Sequence, residues 1–152
     1  MPKLDLASIP EDTRTGYPPE FAKAIAGRSY RRLTGASGLT QFGVNIVTLQ
    51  PGAASSQRHW HEKEDEFAYM LTGELILIED DGETIVRPGD CIAWPAGVEN
   101  GHHLVNRSAM PASFLVVGTR SDTDRAHYPD IDMLFDAAAQ GDRFTRKDGT
   151  PF

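Results

Sequence analysis

The stretch HWHEKEDEF, residues 59–67, contains the side chains that decide how the chain is interpreted. Residues two apart on a β-strand point to the same face, so His59 and His61 project their imidazoles together while Trp60 points away. The acidic connection that follows delivers Glu66 to the start of the next apolar segment. Two imidazoles and a nearby carboxylate are typical ligands of a divalent first-row transition metal. This stretch therefore predicts one side of a metal site.

On both sides of this stretch, from about residue 42 to 119, short apolar runs alternate with turn-forming residues. The runs are Val44 to Leu49, Glu66 to Leu71, Leu75 to Ile78, Thr84 to Val86, Cys91 to Trp94, His103 to Val105 and Phe114 to Val117. Strands recurring at a spacing of about 8–12 residues predict an all-β sandwich or barrel. We divide the chain into an N-terminal arm (1–41), a β-barrel (42–119) and a C-terminal tail (120–152). We expect the tail to pack on the barrel or on a partner subunit.

Each flanking segment contains one predicted helix. In the arm, Pro19 lies in the first turn, Gly27 follows the last turn, and Phe21 and Ile25 are one turn apart, which predicts a short helix. In the tail, the pattern predicts a short helix from about Met133 to Ala139, followed by a β segment.

Two of the barrel runs, Leu75 to Ile78 and Phe67 to Leu71, are apolar on both faces. A sandwich standing alone would leave one of these faces in water. We expect the terminal segments or a second subunit to cover it, and a homodimer is the expected assembly.

A second histidine pair, His102 and His103, could supply a third imidazole to the metal. Adjacent strand residues point to opposite faces, so only one of the two can face the metal. Around both histidine pairs the sequence resembles two motifs of the cupin superfamily. The residues that resemble the first motif are Gly52, His59, His61, Glu66 and Gly73. Those that resemble the second motif are Gly89, Asp90, Pro95, Gly97, His102 and Asn106. More loosely, the whole chain is similar to small stand-alone bacterial cupins, some of which are labelled sugar-phosphate isomerases.

The resemblance implies a cupin-type jelly-roll β-barrel that holds one divalent transition metal ion. The implied ligands are His59, His61, Glu66 and His102. Zinc, manganese, iron, nickel and cobalt all suit such ligands, and the sequence does not distinguish them. Glu64 and Asp65 could also reach the metal, although spacing within the motif favours Glu66. His102 is favoured because it keeps the spacing to Asn106 that the second motif leads us to expect, and His103 is the alternative.

The length, charge and hydropathy of the chain limit the classes of partner that it can bind. Its 152 residues suit one domain. Fifteen Lys and Arg against 22 Asp and Glu give a net charge of −7, which argues against a nucleic-acid or anionic-membrane binder that relies on nonspecific attraction. The first residues lack the apolar core of a secretory signal, and no apolar run is long enough to span a bilayer. We expect a cytoplasmic protein with neither nucleic acid nor membrane as a partner.

The remaining reactive side chains are expected to have structural roles. The single cysteine, Cys91, cannot form an intrachain disulfide and is expected to be buried as a small apolar side chain. Trp94 and Tyr69 could line a ligand pocket, but strand aromatics usually belong to the core, where we expect them. His127 has no partner in the nearby sequence and is expected at the surface.

The main functional hypothesis is an enzyme in which the metal polarises an oxygen of a small oxygen-rich molecule, sugar-like or a carboxylate, as in an isomerase. Gln57 shares the strand parity of the first two histidines and could position the substrate or a water molecule. An iron-dependent dioxygenase and a decarboxylase or lyase are alternatives that use the same ligands. The hypothesis from another class is a non-catalytic cupin that binds or senses a small ligand.

Overall fold

The computed structural model describes residues 3–141 and 143–152, and strands dominate it. The strands are β1 (Glu11–Asp12), β2 (Arg28–Arg32), β3 (Phe42–Leu49), β4 (Trp60–His61), β5 (Glu66–Thr72), β6 (Leu75–Glu79), β7 (Gly82–Val86), β8 (Cys91–Trp94), β9 (His103–Val105), β10 (Ala112–Thr119), β11 (Arg125–Tyr128), β12 (Met133–Asp136) and β13 (Phe144–Thr145). The helices are α1 (Pro19–Ala22), α2 (Leu33–Ser37) and two 3-10 turns, Leu6–Ser8 and Lys23–Ile25. The predicted all-β class is confirmed.

Antiparallel pairing arranges these strands in three sheets. The largest has the order β1-β2-β3-β10-β5-β8, a second has the order β7-β6-β9, and a third has the order β13-β12-β11-β4. Residues of the first two sheets share one apolar core, so these sheets pack face to face. This arrangement is the predicted jelly roll.

Alternation along the strands determines which apolar residues enter the core. Leu49 and Met70 from the large sheet meet Leu75 and Leu104 from the small sheet, and all four are almost completely buried. The opposite face of β5 points outward, since successive side chains of a strand alternate between faces. Its large apolar side chains are more than a third exposed: Phe67, Tyr69 and Leu71. Tyr69 is therefore not the core residue that its strand position predicted.

The N-terminal arm joins the barrel through β2. Helix α1 and the 3-10 turn after it lie within the predicted helix, and Gly27, with φ of 89°, ends this segment in a left-handed conformation. Strand β2 then pairs with β3 in a register that sets Arg28 opposite Leu49. The arm thus extends the large sheet rather than merely lying on it.

The C-terminal tail forms a sheet of its own with β4. The predicted helix from Met133 to Ala139 is wrong, because Met133–Asp136 is strand β12. Its backbone bonds are taken up by β11 on one side and β13 on the other, and such non-local pairing overrides a weak local preference. Met133 is fully buried and packs with Ala126 and Tyr128 in a second apolar cluster.

Strand β8 shows the same alternation and corrects one further prediction. Cys91 is exposed rather than buried, because it shares its face with Ala93, while Ile92 and Trp94 turn inward. In the described part of the chain, no helix has the length and hydropathy needed to cross a membrane.

Candidate metal centre

Three separate segments carry the predicted ligands. His59 pairs with His102 across an isolated β-bridge, in which the two backbones exchange hydrogen bonds of 3.2 and 2.9 Å. His61 ends β4, and Glu66 begins β5, where it lies beside Trp94 of β8. The barrel strands therefore position residues that are distant in sequence around one point.

The three imidazoles converge on one carboxylate oxygen, Oε2 of Glu66. The Nε2 atoms of His102, His61 and His59 lie 3.0, 3.7 and 3.9 Å from it. The ligand atoms of His59, His61 and Glu66 all lie within 4.8 Å of one another. The structure thus brings together all four residues that the sequence selected.

The other ring nitrogens fix the tautomers of two of these histidines. Nδ1 of His59 donates to the carbonyl oxygen of Gln57 at 2.9 Å, and Nδ1 of His102 donates to that of Asn100 at 3.0 Å. A carbonyl oxygen can only accept, so in the neutral imidazole the proton lies on Nδ1. A neutral ring in this tautomer presents the lone pair of Nε2 toward Glu66, whereas a ring with a second proton would donate from Nε2 to Oε2, as the 3.0 Å contact of His102 allows.

The third imidazole is held by a buried carboxylate that sequence reasoning missed. Nδ1 of His61 lies 2.6 Å from Oδ2 of Asp124, which is 1% exposed, while Oδ1 of Asp124 accepts the backbone N–H of Lys63 at 2.9 Å. His61, Glu64 and Asp124 form a second compact group of possible ligands. Because Nδ1 of His61 is occupied by Asp124, we interpret this group as support for a ligand, a common arrangement around metal-binding histidines.

The charges of the site favour a cation. Burial raises the pKa of Glu66, but the hydrogen bond with His102 and the neighbouring imidazoles outweigh burial and lower it to about 2. Burial lowers the pKa of His59 to about 3, so this ring is neutral at pH 7. Burial also lowers the pKa of His61, yet the hydrogen bond with Asp124 and the charge of Glu66 outweigh it and raise the pKa. An ionised carboxylate thus lies among three imidazoles, of which the His59 ring is neutral at pH 7.

Aromatic rings hold two of the imidazoles in place. Trp94 stacks on His102 with centroids 4.1 Å apart and donates from Nε1 to Oε1 of Glu79 at 3.1 Å. Tyr128 stacks on His59 at 5.5 Å. Trp94 does pack against the core, as predicted, but it also lines the site. Lining a pocket is the alternative role that the sequence allowed for Trp94.

Two candidates from the sequence lie outside the converging group. His103 directs Nδ1 to the carbonyl oxygen of Ser56 at 3.0 Å, whereas His102 contacts Glu66. Gln57 donates from Nε2 to the carbonyl oxygen of Phe21 at 2.8 Å and is not among the residues that line the cavity. Its side chain is occupied by the arm, so we do not carry the substrate-positioning role forward.

His127 is partly buried rather than a free surface residue. Its ring stacks on Trp60 with centroids 4.3 Å apart, and Nε2 lies 2.7 Å from Oε1 of Glu62. This histidine–carboxylate pair belongs to the same β4–β11 contact as the pair of His61 and Asp124, but it faces away from the converging imidazoles.

A cavity of about 350 Å³ opens onto the four converging residues. The arm, the barrel and the tail all contribute to its walls, with Tyr17 and Tyr30 from the arm and Tyr128 and Phe144 from the tail. A volume of this size lies at the lower end of the range for small-molecule sites, about 300–1,000 Å³. The terminal segments therefore shape the space next to the candidate ligands.

The donor set fits one divalent transition metal ion. It consists of imidazole nitrogens and a carboxylate, which bind zinc, manganese, iron, nickel and cobalt. Lone pairs and a negative charge that face each other repel unless a cation or a proton lies between them. The group therefore has the chemistry of a metal site.

Comparisons with known proteins agree with this architecture. Residues 45–118 match the family described as the cupin domain. The chain is also similar to the crystal structure of a sugar phosphate isomerase from a cupin superfamily of Silicibacter pomeroyi. The two are 52% identical, the match covers 99% of this chain and 96% of that chain, and the TM-score is 0.92. Among curated proteins, no match was found.

Two more distant structures share the fold. The polyketide cyclase RemF of Streptomyces resistomycificus is 23% identical, with 78% of this chain and 79% of that chain covered and a TM-score of 0.65. A predicted oxalate decarboxylase of Thermotoga maritima is also 23% identical, with 62% and 81% covered and a TM-score of 0.54. At this identity the likeness is one of fold alone.

Proposed function

The chain belongs to the cupin superfamily, and on this basis we propose that it is a metal-dependent enzyme that isomerises a small oxygen-rich molecule. One divalent transition metal ion would be held by four side chains: His59, His61, Glu66 and His102. The substrate class that fits is sugar-like or a small carboxylate, because such molecules carry the vicinal oxygens that a metal with open positions binds.

One observation carries this proposal. Three imidazole Nε2 atoms lie within 3.0–3.9 Å of a single, partly buried carboxylate oxygen, and all three Nδ1 atoms already have acceptors. A hydrogen bond between His102 and Glu66 accounts for only one of these three approaches, because Nε2 of His61 and of His59, at 3.7 and 3.9 Å, lie beyond hydrogen-bond distance of the carboxylate. Oriented imidazoles with supported Nδ1 atoms are instead the usual condition of metal ligands.

A bound divalent metal supplies a Lewis acid that polarises a substrate oxygen and stabilises the negative charge that develops on it. Glu66 is engaged as a ligand in this proposal, so it is not free to act as a general base. Burial raises the pKa of Tyr17 to about 12 and that of Tyr128 well above its ordinary value. Both hydroxyls therefore stay protonated at pH 7. Tyr128 donates its proton to the hydroxyl of Tyr17 at 3.5 Å, so Tyr17 is the one that can donate to an oxygen of a bound molecule.

The relative from Silicibacter pomeroyi favours isomerisation over the alternatives. Its similarity extends over 99% of the present chain, so it includes the arm and the tail that help to line the cavity. The two structures at 23% identity give no support to cyclase or decarboxylase chemistry, because at that distance only the fold carries over.

We also propose that two copies associate through the outer face of β5. Phe67, Tyr69 and Leu71 on this face are each more than a third exposed, and Phe42 of β3 lies on the same groove as Phe67. A contiguous apolar surface of this kind is typical of an interface between subunits.

The test of the metal-dependent function begins with elemental analysis of protein purified without added metals. We expect about one transition metal ion per chain, retained in the His127→Ala variant and lost in His59→Ala and His61→Ala. His127 is a matched control, because it is an imidazole with a carboxylate partner outside the converging group. Full metal occupancy in His59→Ala would overturn the ligand assignment.

Turnover then separates the enzyme from a binding protein. The metal-loaded chain is incubated with a panel of aldose phosphates and hydroxy acids, and isomer formation is followed by NMR. Isomerisation that disappears on chelation and returns with metal supports the proposal. Stoichiometric binding of a panel member without turnover would instead favour the non-catalytic function.

A further inference from the structure

Strand β2 presents a basic and aromatic face to the cavity. Arg28, Tyr30 and Arg32 are two residues apart along the strand, so their side chains share one face, and all three line the cavity. The guanidinium carbon of Arg28 lies 4.6 Å from the centre of the Tyr30 ring, and that of Arg32 lies 5.1 Å from it.

The arginines of the cavity differ in their partners. Three of them are paired with carboxylates: Arg14 and Arg32 with Asp12, and Arg120 with Glu64. Among the residues that the structure describes, none of the ion pairs includes Arg28. Arg28 is thus the cavity cation whose charge the protein itself leaves unbalanced.

Arg28 is also deeply placed, with only 7% of its surface exposed. It donates one hydrogen bond, from Nη1 to the carbonyl oxygen of Ser55 at 2.6 Å. A guanidinium has five N–H donors, and in the described chain no fully buried side-chain nitrogen lacks a partner, so any Arg28 nitrogen without one keeps some exposure, and Arg28 lines the cavity. The ring of Tyr30 attracts the cation without neutralising it. A buried charge in this situation is costly unless a counter-ion joins it.

We propose that Arg28 anchors the anionic group of the substrate, a carboxylate or a phosphate, inside the cavity. A guanidinium matches the oxygens of either group through two parallel hydrogen bonds. The chain has a net charge of −7, so anions are not drawn to it by its overall field and must be held by a local group. The substrate is then an oxyanion with further oxygens available to the metal.

This proposal rests on the proposed function, because it takes the cavity beside the metal ligands to be the substrate site. Arg28 and the four candidate ligands line the same cavity of about 350 Å³, so one small molecule can contact both. The two ideas can still fail separately, since Arg28 needs no metal in order to bind an anion.

The experiment measures anion binding to the metal-free protein, prepared by chelation and dialysis. Inorganic phosphate and malonate are titrated separately by calorimetry into the wild type, Arg28→Gln, Arg28→Lys and Arg31→Gln. Arg31→Gln is the matched control, because it removes the same charge from the other face of β2, where Arg31 is paired with Glu11. Metal content and circular dichroism of every variant are recorded in parallel.

We expect Arg28→Gln to weaken binding of the preferred anion by about 10- to 100-fold, and Arg31→Gln to change it less than about twofold. Lysine keeps the positive charge but lacks the planar guanidinium that makes two parallel hydrogen bonds. The affinity of Arg28→Lys for the anion should therefore lie between those of the wild type and Arg28→Gln. Preference for phosphate would indicate a phosphorylated substrate, and preference for malonate would indicate a carboxylate.

Failure of wild-type metal-free protein to bind either anion would overturn the anchor, and so would equal losses in Arg28→Gln and Arg31→Gln. If Arg28→Gln does not fold, Arg28→Lys decides: an intermediate affinity supports the anchor, and wild-type affinity contradicts it. Neither negative result would change the metal content expected for His59→Ala. Failure of this proposal can therefore be distinguished from failure of the proposed metal-dependent function.

Discussion

Replacing Asp124 with asparagine tests how the chain supports its candidate metal ligands. The carboxylate of Asp124 accepts two hydrogen bonds, one from Nδ1 of His61 at 2.6 Å and one from the backbone of Lys63 at 2.9 Å. Asparagine keeps the size of the side chain but has only one acceptor oxygen. Its amide nitrogen would therefore face an N–H donor, and one of the two hydrogen bonds would be lost.

The expected loss follows from the burial and charge of this contact. Asp124 is 1% exposed, so solvent cannot replace the missing hydrogen bond. Partners that orient a metal-binding histidine typically contribute 10- to 100-fold to metal affinity. We expect the Kd for the metal to rise by about 10- to 100-fold, which corresponds to about 1.4–2.8 kcal/mol. The fold should lose about 1.5–3 kcal/mol of stability as well.

Metal affinity is measured by competition with a chelator of known affinity, using Zn²⁺ and Mn²⁺ in turn. The matched control is Glu62→Gln, which removes the same charge from the histidine–carboxylate pair that Glu62 forms with His127 at 2.7 Å. Because His127 does not face the site, this variant should bind the metal within about twofold of wild type. Wild-type affinity in Asp124→Asn, or an equal loss in both variants, would refute the reasoning.

Three further predictions follow from the same geometry. His102→Ala should lose the metal on dialysis while His103→Ala keeps it, since only His102 contacts Glu66; elemental analysis showing the reverse would contradict the assignment. Because burial raises the pKa of Tyr17 to about 12, the unfolded state releases this proton first, and urea denaturation should show stability falling between about pH 10 and pH 12, less so in Tyr17→Phe; equal slopes would show that another group is responsible. Phe67→Glu should convert the proposed dimer to a monomer in analytical ultracentrifugation, whereas Leu6→Glu, at another exposed apolar position, should not.

The barrel could be predicted from the sequence because each of its strands has a recognisable local pattern. Short apolar runs separated by turn residues correspond to β3 and β5 to β10. The run in β5 is apolar on both faces, so only the structure shows that Met70 belongs to the core and Phe67 to the surface. The tail could not be predicted in this way. The four residues Met133–Asp136 are too few to show a helical or strand period, and their strand conformation depends on pairing with β11 and β13.

The candidate site, too, could be predicted only where its residues lie close together in the sequence. His59, His61 and Glu66 lie within eight residues, so strand parity groups the two histidines and the spacing of the motif adds Glu66. Asp124 is 63 residues from His61, and only the register between β4 and β11 brings the two together. No local pattern marks Asp124 as different from the other acidic residues of the tail, which is why sequence reasoning left it out.

The residues of the site differ in whether they lie inside the matched cupin domain, and this affects how function can be transferred among related chains. Residues 45–118 match the cupin domain and contain all four proposed ligands, whereas Arg28 and Asp124 lie outside this range. A likeness confined to the barrel can therefore carry the metal ligands without Arg28, which we expect to anchor the substrate, and without Asp124, which supports His61. The isomerase of Silicibacter pomeroyi is similar over nearly the whole length of both chains, so its likeness extends to the segments that contain Arg28 and Asp124. Comparison of the arm and the tail, rather than of the histidine motif, is what should separate cupins that share this chemistry from those that share only the barrel.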